Sequence, residues 1–158
     1  MATVGKVAWM QRVDTVLTGI TVAGGYRTTV ARVEPMIKTW EEVGRGITPF
    51  VGYGIATTIS EPYYPGNQIR CVATLNIVAH VSEADADAAL VALGNLEDDI
   101  LGALMEEPTL DGNAIDIKWR STQDDVQDPH ASTVTRGGRG SMLMEFEVTW
   151  DRTGARTP

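Results

Sequence analysis

Residues 69–81 read IRCVATLNIVAHV, and this stretch decides the fold. Ile69, Cys71, Ala73, Leu75, Ile77, Ala79 and Val81 alternate with Arg70, Val72, Thr74, Asn76, Val78 and His80. Successive side chains of a strand point to opposite faces, so the pattern describes one long strand with one face fully buried. Upstream, Glu61 to Asn67 holds Pro62, Pro65 and Gly66 and reads as a turn. A strand from Pro49 to about Ser60 precedes it, which makes a hairpin. Gly52 and Gly54 within that strand predict a bulge, a bend or the close approach of another backbone.

Downstream, Ser82 is placed to cap a helix, with Glu83, Asp85 and Asp87 where the helix dipole favours negative charge. Ala89, Leu90, Leu93, Leu96, Ile100, Leu101 and Leu104 form its apolar stripe, and Pro108 and Gly112 close it. This helix is expected to lie on the sheet. Ile115, Ile117 and Trp119 alternate with charged residues in a further strand, and Met142, Met144, Phe146, Val148 and Trp150 line one face of the last. Between them, residues 121–140 are polar and aperiodic. They run from an acidic part (Asp124, Asp125, Asp128) to a basic, glycine-rich part (Arg136 to Gly140), and are expected to form a mobile loop.

At the N-terminus, Met10, Val13, Val16, Leu17 and Ile20 predict an amphipathic helix between Gly5 and Ile20. Tyr26 to Val33 is rich in β-branched residues and reads as a strand. Glu34 to Gly46 reads as a short helix with Pro35 in its first turn, or as a packed loop. The sum is an α+β fold: a mainly antiparallel sheet with two or three helices packed on one face. One domain is expected over residues 1–152, with a loose tail at 153–158.

The chain has 158 residues, 43% hydrophobic and 22% charged, which suits one folded domain rather than a disordered chain. No apolar run approaches the roughly 20 residues of a membrane span. Met1 to Met10 has no continuous apolar region, so no secretory signal is expected. A net charge of -8 repels phosphates and sets a low expectation for nucleic-acid binding. The single cysteine, Cys71, allows no internal disulfide and fits a reducing compartment.

Chemical motifs are sparse. Cys71, His80 and His130 have no zinc-site spacing, and no serine sits in a nucleophile elbow. Asp124, Asp125 and Asp128 lack the glycine and terminal glutamate of a calcium loop. Glu145 and Glu147 read most simply as charges on an exposed strand face, and Arg136 to Gly140 is one short copy of a glycine–arginine pattern. No cofactor or metal is expected. An enzyme or small-ligand protein would have to draw on His80, Glu145 and Asp116, which are distant in sequence. Val72, Val78 and Leu143 on outer strand faces, with Val7 and Trp9 near the N-terminus, instead suit an assembly surface.

The second half carries a resemblance. LEDDILGALMEEPTLDG at 96–112, the strand AIDIKWRS at 114–121, a polar insertion and the closing GSMLMEFEVTWDR at 140–152 resemble the C-terminal half of tail terminator proteins of tailed bacteriophages. About 55 residues match, and the N-terminal helix and TPFVGYG strand are compatible in order. Met36 to Gly46 has no place in that pattern, and neck, head-completion and minor tail proteins of similar size are neighbouring alternatives. The resemblance implies a non-enzymatic virion protein of the tail and neck, assembled in the host cytoplasm. It would form a ring, usually of six subunits, that caps the tail tube and receives the head connector. Nucleic acid would be met only as DNA passing through the lumen. On this reading the interface residues are Val7, Trp9, Asp124, Asp125, Asp128, Arg136 and Arg139, with the edge strands and N-terminal helix at ring contacts.

Overall fold

The long alternating strand is β3, Gln68–Glu83, and it pairs along its whole length with the last strand, β5, Gly138–Thr153. The computed structural model describes residues 5–43, 47–62, 68–127 and 138–153. Around the central pair lie α1 (Lys6–Thr18), β1 (Arg32–Glu34), β2 (Phe50–Pro62), α2 (Ala86–Met105) and β4 (Asp116–Gln127). The sheet order is β1-β2-β3-β5-β4; every pairing is antiparallel except the short parallel match of β1 with β2. The fold is α+β, a mixed and mainly antiparallel sheet with two α-helices among the described residues.

The odd residues of β3 and the even residues of β5 form one face of the sheet and bury completely or nearly so from Cys71 to Val81 and from Met142 to Trp150. Leu93, Leu96, Ile100 and Leu104 of α2 and Trp9, Val13 and Leu17 of α1 close that face. The α1 stripe is led by Trp9, not Met10: Trp9 packs its ring 5.3 Å from that of Trp150, while Met10 and Val16 sit at the flank of the core. Tyr53 Oη donates to Asp14 Oδ2 at 2.8 Å and ties β2 to α1, and Arg12 pairs with Glu107 beyond α2.

Several local expectations yield to tertiary pairing. β3 continues through Ser82 to Glu83 because β5 is there to pair with it, so the α2 cap moves to Asp85, whose carboxylate accepts from Ala88 N at 2.8 Å. Of the expected strand at 26–33 only Arg32 and Val33 join the sheet, as part of β1. The backbone before it is used elsewhere: Arg27 N and Thr28 N donate to the buried carboxylate of Asp99 at 3.2 and 2.8 Å, and Val30 N to Ile20 O. The expected loop at 121–140 is strand at both ends, β4 reaching Gln127 and β5 starting at Gly138. An edge strand anchored to β5 needs no apolar alternation, so its polar sequence hid it. Residues 128–137 lie outside the described residues, and β5 extends one residue into the stretch read as a tail.

The glycines at the start of β5 serve packing. A Cβ at Gly138 would stand 2.1 Å from the Asp85 carbonyl oxygen, and one at Gly140 would stand 2.7 Å from the Leu93 side chain. Both absences let the first turns of α2 settle on the strand. After α2, Leu110, Asp111 and Gly112 all take positive φ (48°, 58° and 79°), turning the chain into β4 with Leu110 fully buried.

Two outcomes check this packing. Asp99→Ala leaves two backbone N–H groups without their acceptor and should cost about 1–3 kcal/mol in urea unfolding. Gly138→Ala, which presses on backbone, should destabilise more than Gly140→Ala, which presses on a movable leucine; the reverse order would contradict the packing described.

Candidate functional site

The second face of the sheet is only partly covered. Residues 34–43 cross it as a strap over the end formed by Phe50, His80 and Ser141. Met36 O lies so close to β2 that a Cβ at Gly52 would stand 2.2 Å from it, and Ile37 packs over Gly54. Close backbone approach is thus one of the roles that the β2 glycines serve. The register shift of β2 lies beyond both glycines, between Ile55 and Thr57. The strap ends in one 3-10 turn, Trp40–Glu42, held by a reciprocal cap between Thr39 and Glu42.

Under the strap, His80 is 3% exposed. Its Nε2 lies 2.7 Å from Lys38 O, an acceptor only, so Nε2 carries the proton and Nδ1 accepts from Ser141 Oγ at 2.7 Å. Phe50 stacks on one side of the ring at 6.0 Å and Trp40 meets it edge-on at 5.8 Å. Arg139 closes the outside, its guanidinium 5.3 Å from the Trp40 ring centroid. Burial pushes the His80 imidazole below its ordinary 6.5, against its bond to the Lys38 carbonyl and the charge of Glu41. The histidine is a neutral clasp that holds the strap to the sheet.

Beside the clasp, an open depression of about 360 Å³ is lined by Ile37, Asn76, Val78, Gln123, Ser141 and Leu143. Asn76 Oδ1 is buried there with no partner among the described residues. Past the depression the face is bare and charged in pairs: Arg120 with Glu147 at 2.6 Å, and Arg70 with Asp151 at 3.0 Å.

The expected interface residues do not gather in one place. Val7 is 68% exposed on the outer side of α1. Trp9 is a correction: it is fully buried against Trp150 and offers no surface. Asp124 is exposed at the rim of the depression, and Asp125 lies opposite Ser141 in β4. Arg139 is a strand residue stacked on Trp40, while Asp128 and Arg136 lie outside the described residues. Nor do the candidates for chemistry converge. His80 sits opposite Ser141, whereas Glu145 is four residues and Thr149, the partner of Asp116, eight residues further along β5, about 13 and 26 Å at strand rise. Among the described residues no three His, Cys, Asp or Glu side chains group to hold a metal. The sequence reading missed Trp40 and Lys38 as partners of His80; its one signal was His80 standing on the outer face among valines.

The clasp makes stability depend on pH. The unfolded chain takes up the His80 proton below about pH 6.5 and the folded chain resists it, so its stabilisation is complete above that value and declines as pH falls. Urea unfolding should show wild type losing more stability than His80→Gln between about pH 7.5 and about pH 5.5; equal losses would refute the clasp. No protein-family model matches the chain, and a search of curated proteins returned no match.

Proposed function

We propose that this chain is the subunit of a ring that caps the tail tube of a tailed bacteriophage and receives the head connector. The observation that carries the reading is the half-covered sheet. Helices close one face, while the other face past the strap, with Thr57, Ile59, Thr74, Glu145 and Glu147, is open. A body of this kind, rigid on one side and bare on the other, suits contact with large partners. The resemblance of residues 96–152 to tail terminators supplies the identity of those partners. The PTLDG turn within it, with three successive positive φ angles, is a backbone device and not a chemical one. Neck and head-completion proteins are the neighbouring alternatives. A small-ligand reading has one observation in its favour, the depression beside Asn76.

Native mass spectrometry and negative-stain imaging, with the protein alone and with purified tail tubes, test the proposal. Six-membered rings or density at tube ends are expected. A chain that stays monomeric and ignores the tubes would overturn it.

A further inference from the structure

We infer that copies of this chain join head to tail through unlike sheet edges, the Asp116–Ser121 half of β4 in one copy lying antiparallel to residues 54–59 of β2 in the next. The two edges are open. β1 pairs only Phe50, Val51 and Gly52, and past Gly52 no strand or backbone hydrogen bond among the described residues reaches the outer side of β2. Residues 56–60, ATTIS, are all exposed and carry no charge, with Ile59 67% exposed. Folded proteins guard long edges with lysine, proline or a covering element. Here Lys6 Nζ donates to the Thr58 hydroxyl at 2.8 Å, a side-chain contact that leaves the edge backbone open to be paired.

Topology selects the partner. Three antiparallel steps separate β2 from β4, so the two outer strands run in opposite senses. A second copy set alongside with the same face up therefore presents its β2 antiparallel to the first copy's β4, continuing the alternation. Unlike edges make this contact heterologous, the kind that closes rings. β1 of the next copy occupies the outer side of residues 50–52 and confines the joint to the half of β4 nearer Asp116.

The side chains agree. One row across the helix-covered face reads Ile55–Leu75–Phe146–Trp119. Its interior members are fully buried, while Trp119 stands 46% exposed at the β4 end. The unstaggered joint abuts Trp119 on Ile55 of the next copy and extends the apolar row across the boundary. Trp119 Nε1 already donates to Thr122 Oγ1 at 3.0 Å, so covering the indole strands no donor. The register shifts of the two edges, at Ile55/Thr57 and Trp119/Ser121, flank this same row. Bulges sharpen local twist, and here both edges bend at one level and stay matched.

The inference rests on the ring reading only for closure. Thr57 and Lys118 share the next row on the open face, through Thr74 and Glu147, and both are exposed; Cys71, the one native cysteine, is 1% exposed. Single variants Thr57→Cys and Lys118→Cys, each with wild-type thermal unfolding, are treated with a short bis-maleimide, which tolerates a small shift of register. They are tested apart and mixed, in concentrated solution and on tail tubes. The expected result is cross-linked dimer from the mixture alone, because like edges lie about 20 Å apart across an intervening sheet. Either variant linking to itself means a two-fold joint and overturns the inference. So does a mixture that gives no product under both conditions. Capped tubes without the 57–118 product would sink this joint and leave the capping proposal standing; the product without caps does the reverse.

Discussion

The ladder between β3 and β5 is the constraint on which the remainder depends. It runs without a register shift from Gln68 opposite Thr153 to Glu83 opposite Gly138. A slip of one residue would exchange the faces of both strands, moving Leu75 and Phe146 into solvent and His80 into the core. Both helices pack on the face that this register buries, β2 and β4 hang from its two sides, and the strap lies on its reverse. The far end of the ladder also fixes α2. Gly138 lies so close to the Asp85 carbonyl that the helix can start only where the strand backbone lets it approach.

What was legible in the sequence follows from that geometry. β3, β5 and α2 each bury a row long enough for its period to show, and the β2–β3 hairpin follows from two such rows and a proline-rich turn. Segments whose partners are distant in sequence were not legible. Nothing in the sequence sets Asp99 apart from its neighbour Asp98, yet it accepts from the backbone of residues 27 and 28 and so holds that segment away from the sheet. The glycines near residue 138 looked like part of a flexible basic loop. Their meaning lies in what a missing Cβ leaves room for, which composition does not record.

The candidate site was legible only as parity. Alternation placed Val78, His80 and Leu143 on the outer face correctly. The glycines at 52 and 54 left a bulge, a bend and close approach all open, of which both positions show close approach. It could not show that residues 34–43 would return across that face, because Met36, Ile37 and Trp40 have no period of their own. Trp9 failed for the opposite reason. An aromatic residue near a chain end, one step off the expected stripe, resembles a contact residue until Trp150 is found beneath it.

Face and edge make different demands on a partner. The open face already neutralises many of its charges internally, Arg120 on Glu147 and Arg70 on Asp151. A partner laid on it must match paired charges or desolvate them, and exposed pairs give little in return. The edge of β2 asks for less. Past Gly52 its outer backbone groups have no strand partner among the described residues, its exposed side chains are small or β-branched, and the row ending in Trp119 offers an apolar surface to cover. Backbone pairing supplies attraction, residues 54–59 bring no charge of their own to the joint, and the apolar row sets the register. An assembly built from this chain is therefore expected to form along its edges first, leaving the polar face to be presented, in repeated copies, to whatever the assembly is mounted on.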